Sequence, residues 1–224
     1  MTDDLAHLDR PDAVIFDLDG TLVDTVPARI AGWAEVLAAE GIEIHAHQIA
    51  PMIGIDGRRL AREAAAADGR SLDDDDAERI DHAAGARFDV HNASPKALPG
   101  ARETLDRLDR SAMTWAIATS SRAAQVRGSV AALGLSRDPR IVDGSRVAHA
   151  KPAPDLLLLA AEEIGVEPSR TWYVGDATWD MRAAAAAGMV PIAVLAGSAV
   201  DADALRDAGA SVVLDTLDGL RLPD

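Results

Sequence analysis

The alternation of short apolar runs with amphipathic segments is the main structural signal in this chain. Apolar runs rich in β-branched residues predict strands, and apolar residues spaced by three and four predict helices. Strands are predicted over 13–16, 113–118, 140–142, 171–174, 190–195 and 211–214. Helices are predicted over 123–133, 154–164, 181–187 and 201–208. This alternation predicts an α/β fold with a Rossmann-like parallel sheet covered by helices on both faces.

One segment, from about 26 to 94, interrupts the alternation directly after the first predicted strand. It opens with a helical pattern from Pro27, and Gly41 stands where such a helix is expected to end. The rest of the segment predicts two or three more helices without a strand between them. We therefore expect a catalytic core formed by 1–25 and 95–224, and a small helical cap domain formed by 26–94.

The composition of the chain opposes several classes of function. It has 22 basic and 37 acidic residues, a formal net charge of −15, which repels nucleic acid phosphates and anionic lipids. It has no cysteine, so disulfides and thiolate chemistry are absent. The first twelve residues are polar, and no apolar run reaches about 18 residues. We expect a cytoplasmic protein, monomer or homodimer, with neither a nucleic acid nor a membrane partner.

Two carboxylates follow the first predicted strand directly. Asp17 and Asp19 are separated by one residue of extended chain, so their side chains are expected to point the same way. Close like charges raise a pKa unless a cation neutralises them, which favours acid–base chemistry or a hard divalent metal. Because Asp-x-Asp is common in surface loops, the pair by itself identifies no function.

Polar groups that suit a phosphate follow three further predicted strands. Thr119 and Ser120 follow one strand, Lys151 lies beyond the next, and Asp176 follows a third, with Asp180 four residues further on. The carboxyl ends of parallel strands meet at one edge of a sheet, and ligands bind there in open α/β folds. The sequence therefore predicts a single site at this edge.

Four motifs in this order resemble those of the haloacid dehalogenase superfamily of phosphohydrolases, in the subgroup of phosphoglycolate phosphatase and β-phosphoglucomutase. They are Asp17-Leu18-Asp19-Gly20-Thr21, Thr119, Lys151-Pro152-Ala153-Pro154-Asp155 and Gly175-Asp176-Ala177-Thr178-Trp179-Asp180. The resemblance covers about 12–214 and is weakest in the helical insert. It implies a magnesium-dependent phosphatase acting on a small phosphorylated metabolite.

The resemblance also implies a role for each motif residue. Asp17 would attack phosphorus and form an aspartyl-phosphate, while Asp19 would serve as general acid and then general base. Mg²⁺ would be held by Asp17, the backbone carbonyl of Asp19 and Asp176. Thr119 would donate to a phosphoryl oxygen, and Lys151 would neutralise charge shared by the nucleophile and the phosphate.

Further residues are expected to support these. Asp180 is expected to hold the site from beside Asp176. Gly20 and Gly175 would let the backbone approach a metal or a phosphate. Thr21 and Ser120 are expected to contact phosphate.

The cap segment Ile53–Leu60 resembles the lid loop that reads the substrate in this family. Gly54, Arg58 and Arg59 are therefore expected to contact the substrate, with one arginine pairing with a second anionic group. The alternative is that both arginines only solvate the first turn of a helix.

Hydrolysis of a small soluble phosphomonoester is the function that the motifs favour. Phosphosugar mutases of the family carry a histidine on the helix after the first motif, where this chain has Arg29. Haloacid dehalogenases lack the second carboxylate of the first motif, so Asp19 opposes that activity. A binding module with a dead site is opposed because every catalytic position is filled.

Overall fold

A computed structural model describes residues 5–223, apart from the side chain at 124. The first four residues and the last, which belong to the predicted core segments, lie outside the described residues. Six strands in the described part form one parallel sheet in the order β3-β2-β1-β4-β5-β6. They are β1 Ala13–Phe16, β2 Thr114–Thr119, β3 Ile141–Asp143, β4 Thr171–Gly175, β5 Val190–Val194 and β6 Val212–Leu214.

The helices of the described residues fall into two groups along the chain. Four lie between β1 and β2 in the predicted cap: α1 Val26–Ala39, α2 Ala46–Ile49, α3 Gly57–Ala67 and α4 Asp74–His91. The others are α5 Ala101–Arg110, α6 Ala123–Leu133, α7 Asp155–Ile164, α8 Thr178–Ala187 and α9 Ala202–Asp207. None of these helices is long and apolar enough to cross a membrane.

The predicted α/β fold with a parallel sheet is confirmed, and each strand predicted from the apolar runs is present. Helix α5 was not predicted from the sequence. Six of its ten residues are charged, which masks the apolar pattern. Its buried positions, Ala101, Thr104, Leu105 and Leu108, nevertheless follow the helical spacing of three and four.

Burial on both faces explains why the central strands are continuous apolar runs. Every residue of β1 is buried. Val14 and Phe16 pack in one hydrophobic cluster with Leu105 of α5. Ile15 packs on the opposite face with Leu157 of α7. A strand covered on both sides has no polar face, which is the pattern of a parallel sheet between two helical layers.

The strand register brings three chain segments to one edge of the sheet. Phe16, the last residue of β1, pairs with Ile117 of β2 and with Val174 of β4. The residues that follow these positions therefore leave the sheet side by side. This edge carries the polar groups of the sequence motifs.

A hydrophobic cluster of its own holds the helices of the predicted cap together. It includes Leu37 of α1, Leu60 of α3 and Ile80 of α4, all nearly inaccessible to solvent. The chain enters and leaves this region through adjacent segments, since Asp24 N donates to Lys96 O at 2.8 Å. These observations support our proposal that 26–94 is a cap inserted into a core of 1–25 and 95–224.

Replacing a buried side chain of the cap cluster is expected to destabilise the protein. Ile80 is fully buried, so Ile80→Ala removes apolar contacts and should lower the free energy of unfolding by about 2–5 kcal/mol. Val90 lies on the same helix with 64% of its surface exposed, and Val90→Ala should change it by less than about 0.5 kcal/mol. Denaturant unfolding measures both changes. Equal losses of unfolding free energy in the two variants would contradict the packing of Ile80 in the cap cluster.

Candidate active site

A pocket of about 780 Å³ lies between the carboxyl edge of the sheet and the cap helices. Asp17, Asp19, Thr119, Lys151 and Asp176 line its floor. The structure therefore brings these predicted residues together, from four separate chain segments. The cap side is lined by residues of α1, α3 and α4 and of the Ile53–Asp56 loop.

Lys151 is the central cation of the floor. It is 2% exposed, and its Nζ donates to Asp17 Oδ1 at 2.8 Å and to Asp180 Oδ1 at 2.7 Å. Burial disfavours the charged ammonium, but attraction to Asp17 and Asp180 outweighs it, so the pKa of Lys151 lies well above its ordinary value. The ring of Tyr173 lies 5.3 Å from the same Nζ. Lys151 is therefore held as a fixed positive charge.

The neighbouring carboxylates carry more negative charge than Lys151 neutralises. Burial raises the pKa of Asp17 to about 7, with the charges of Asp180 and Asp19 adding to the shift and Lys151 opposing it. Burial, followed by the charges of Asp180 and Asp17, raises the pKa of Asp176 well above its ordinary value. Both shifts indicate a site that lacks positive charge.

The chemistry of this donor set fits a divalent cation such as Mg²⁺. Asp17, Asp176 and Asp180 are buried, and one carboxylate oxygen from each lies within 4.8 Å of the others. Hard divalent cations prefer such oxygen ligands, and a double positive charge would offset the excess carboxylate charge. Gly20 leaves room beside them, since a Cβ there would lie 2.2 Å from Asp176 Oδ2.

Asp180 differs from the other two because protein donors already satisfy it. Its Oδ1 accepts from Lys151 and from the Tyr173 hydroxyl, and its Oδ2 accepts from the backbone N–H groups of Asp176 and Ala177. Gly175 allows this close packing, because a Cβ there would lie 2.4 Å from Asp180 Cβ. These contacts support the predicted role of Asp180 as a residue that holds Asp176 and Lys151 in place.

Asp19 has a different set of partners on the cap side. Arg29 of α1 donates to Asp19 Oδ2 at 3.0 Å, and the Ser121 hydroxyl donates to the same oxygen. Burial would raise the pKa of Asp19, but the Arg29 charge and these hydrogen bonds lower it below its ordinary value. Asp19 Oδ1 is buried and has no hydrogen-bond partner among the described residues. This oxygen therefore has an unused acceptor position.

Thr119 and Ser120 both line the pocket, at the end of β2. Thr119 Oγ1 accepts from the Ser121 N–H at 3.1 Å, which leaves its hydroxyl proton to donate to a ligand. The Ser120 hydroxyl donates to Gly54 O in the cap loop at 3.3 Å. The predicted phosphate contact therefore fits Thr119 better than Ser120.

Two residues predicted to contact the substrate do not line the pocket. Thr21 is buried, and its hydroxyl donates to Asp176 Oδ1 at 2.8 Å, so it orients this carboxylate instead. Arg59 pairs with Glu63 at 2.6 Å and lies over the ring of Trp179. Its position one residue beyond Arg58 on α3 turns it away, because successive helix residues do not share a face. We correct both expectations accordingly.

The cap residues Gly54 and Arg58 do line the pocket, as does Trp33 of α1. The Trp179 indole N–H donates to Pro51 O at 2.9 Å and so joins α8 to the cap. Together with the Ser120 contact to Gly54, this bond holds the cap loop against the sheet edge. The cap therefore roofs the site.

Three residues of the site were not singled out by the motifs: Arg29, Ser121 and Tyr173. The sequence did offer a signal for two of them: Ser121 belongs to the polar run after β2, and Arg29 stands, by resemblance, at the position of a family mutase histidine. Tyr173 lies inside a predicted strand, between Trp172 and Val174, and no motif pointed to it.

Comparison with known proteins places this arrangement in a family. A family model described as haloacid dehalogenase-like hydrolase matches residues 11–188. The chain is 30% identical to an N-acetylmuramic acid 6-phosphate phosphatase of Pseudomonas aeruginosa, over 92% of this chain and 91% of that protein. It is 35% identical to a phosphoglycolate phosphatase of Xylella fastidiosa, over 84% of this chain and 81% of that protein.

A solved structure of a hydrolase from Pseudomonas syringae shares the fold. It superposes with a TM-score of 0.88 at 35% identity, over 93% of this chain and 95% of that one. The fold, the motif residues gathered at the sheet edge and the matched model agree. The chain belongs to the haloacid dehalogenase-like hydrolase family.

Proposed function

We propose that this enzyme, a phosphoric monoester hydrolase of its family, removes phosphate from a small soluble phosphomonoester through an aspartyl-phosphate at Asp17. The observation that carries the proposal is the buried Lys151 ammonium, which contacts Asp17 and Asp180 in one pocket with Asp19 and Thr119. The names of the relatives, which are phosphatases acting on phosphorylated small molecules, support it.

In the first step, Asp17 Oδ2 attacks phosphorus while Lys151 holds Oδ1. The bond between phosphorus and the leaving oxygen breaks, and Asp19, which takes up a proton when the anionic phosphate binds beside it, gives that proton from Oδ1 to the leaving oxygen. Thr119 donates to a phosphoryl oxygen, and Lys151 balances the charge shared by phosphate and carboxylate. The product of this step is an alcohol and an acyl phosphate on Asp17.

In the second step, water attacks the phosphorus of the acyl phosphate and gives a proton to Asp19 Oδ1. The bond between phosphorus and the Asp17 oxygen breaks, which releases inorganic phosphate and restores both carboxyl groups. The cap roof keeps bulk water from the acyl phosphate.

We propose Mg²⁺ as the cofactor, held by Asp17, Asp176 and the backbone carbonyl of Asp19. When bound, the ion supplies positive charge that lets an anionic carboxylate approach an anionic phosphate. The cytoplasmic location stays a prediction from the sequence.

Phosphosugar mutase activity is the second candidate function, since a solved structure titled putative beta-phosphoglucomutase shares the fold. Arg29 occupies the position of the mutase histidine and is bound to Asp19 and Ser121, so no histidine is available there. With β-glucose 1-phosphate and glucose 1,6-bisphosphate, we expect phosphate release to exceed isomerisation. Faster isomerisation would contradict the phosphatase proposal.

Asp17→Asn is expected to lower phosphate release from p-nitrophenyl phosphate by at least about a thousandfold, because the amide is not a nucleophile at phosphorus. Asp24 is exposed in the same loop and does not line the pocket, so Asp24→Asn is the matched control and should keep the wild-type rate. Equal rates for Asp17→Asn and wild type would place the activity elsewhere.

Arg29→Met is expected to lower kcat by about ten- to a hundredfold with little change in KM, because it frees the Asp19 carboxylate from its orienting cation. The loss should be larger for alkyl phosphates, whose leaving oxygen needs a proton, than for p-nitrophenyl phosphate. Arg29→Lys should restore part of kcat. Equal losses on both substrates would mean that Arg29 does not act through Asp19.

Removal of the metal is expected to make stability depend on pH. Asp17 and Asp176 have raised pKa values in the folded protein. The stability that these raised pKa values contribute is present near pH 4 and is lost as the pH rises through about 7. Mg²⁺ requires ionised ligands, so it should raise the unfolding temperature more at about pH 8 than at about pH 5. Thermal unfolding with EDTA or Mg²⁺ measures this.

Asp17→Asn is the control for the pH effect, and it should flatten the pH dependence of the metal-free protein. EDTA should also abolish phosphatase activity, and added Mg²⁺ should restore it. If Mg²⁺ raised the unfolding temperature equally at both pH values, Asp17 and Asp176 would not be its ligands.

A further inference from the structure

The wall of the pocket that faces away from the catalytic floor carries a surplus of negative charge. We call it the acidic rim and define it by four carboxylates: Asp56, Glu78, Asp81 and Asp89. Two guanidinium groups, those of Arg58 and Arg122, and the imidazole of His82 lie among them. The four carboxylates outnumber these three basic groups, so the wall is negative even if the imidazole carries a proton.

Both arginines of the wall are already paired. Arg58 lies 3.3 Å from Asp56 and 3.7 Å from Glu78. Arg122 donates to Asp81 at 2.6 Å and to Glu78 at 3.2 Å. Glu78 therefore joins the two arginines into one network that crosses from the cap to the core.

The charged residues of this network are positioned by three helices. Asp56 is the N-cap of α3 and accepts from the Arg59 N–H at 3.2 Å. Glu78 and Asp81 lie one turn apart on α4 and so share a face. Arg122 precedes the first residue of α6. Since each group starts from a regular element, the arginines are not free to swing toward a ligand without leaving carboxylates unpaired.

The floor of the pocket offers no spare cation either. Lys151 is bound by Asp17 and Asp180, and Arg29 by Asp19. Among the described residues that line the pocket, every lysine and arginine therefore has a carboxylate partner. A bound divalent ion would offset the excess carboxylate charge of the floor, so it would leave no positive charge to compensate the rim.

A leaving group that carries a second negative charge would meet this wall. It would lose hydration and find either carboxylates or arginines that already serve carboxylates, both of which cost free energy. A hydroxyl-bearing or ammonium-bearing leaving group would instead donate to the rim's oxygens. The charge of the wall thus discriminates between classes of substrate.

We infer that the site selects phosphomonoesters whose leaving group is neutral or positively charged, and discriminates against those with a second anionic group. This inference rests on the proposed phosphatase function and narrows it. It opposes the expectation that Arg58 or Arg59 pairs with a second anion, and it would separate this chain from relatives named phosphoglycolate phosphatase.

Three two-carbon esters that differ only in their distal group test the inference: 2-phosphoglycolate, ethylene glycol monophosphate and O-phosphoethanolamine. At about pH 8, we expect kcat/KM for phosphoglycolate to be at least about tenfold below that of the glycol ester. Phosphoethanolamine should equal or exceed the glycol ester. Inhibition of p-nitrophenyl phosphate hydrolysis by each ester gives the same order where turnover is slow.

Removal of rim carboxylates should weaken the discrimination. In Glu78→Gln/Asp81→Asn, Arg122 loses its partners, and kcat/KM for phosphoglycolate relative to the glycol ester should rise at least about fivefold. Glu63 of α3 pairs with Arg59 outside the pocket, so Glu63→Gln is the matched control and should leave the ratio unchanged. Should the double variant fail to fold, Glu78→Gln alone serves, since its side chain is 49% exposed.

The outcomes separate the two proposals. If wild type hydrolyses p-nitrophenyl phosphate but prefers phosphoglycolate to the glycol ester, the charge selectivity is overturned and the phosphatase function stands. If the double variant and Glu63→Gln shift the ratio equally, the rim is not its cause and the inference fails. If wild type in Mg²⁺ releases no phosphate from p-nitrophenyl phosphate or from any of the three two-carbon esters, the proposed function itself fails.

Discussion

The ion pairing of one buried ammonium with two carboxylates organises the active site. Lys151 lies between Asp17 and Asp180, and the three groups come from different segments of the chain. A buried charge without a partner costs several kcal/mol, so each member constrains the position of the others. Asp180 in turn accepts backbone N–H groups that precede α8, which fixes the loop that carries Asp176.

This arrangement leaves the floor with more carboxylate than ammonium charge, and that imbalance has a chemical use. The raised pKa values of Asp17 and Asp176 reflect burial and mutual repulsion that a divalent cation would relieve. An anionic nucleophile and an anionic substrate can meet only where such positive charge is supplied. The charge imbalance that raises these pKa values would therefore also favour binding of the proposed divalent cation.

The two sides of the pocket are built by different parts of the chain. The floor comes from strand ends of a sheet that is buried on both faces, so its groups are held rigidly. The opposite wall comes from the cap, where ion pairs between Arg122 and the α4 carboxylates connect it to the core. In our proposals, residues at the sheet edge carry out the chemistry, and the cap wall selects the charge of the leaving group.

The sequence alone determined the fold class and the chemistry of the floor. Short apolar runs that alternate with helical segments favour the central strands of a covered parallel sheet, and polar residues at the carboxyl ends of such strands lie at one edge. For this reason the sequence could predict the site residues Asp17, Thr119, Lys151 and Asp176. Helix α5 was not predicted, because charged residues outnumber the narrow apolar face that packs it onto the sheet.

Only the tertiary structure decided which partner each polar group has. Neighbours in sequence separated in space, since Arg58 lines the pocket while Arg59 packs on Trp179. Residues far apart in sequence came together, as Arg29 did with Ser121 and Arg122 did with Asp81. A motif specifies the position of a side chain on its own strand or helix. The balance of charge in a pocket depends on how separate elements pack, and no local pattern records it.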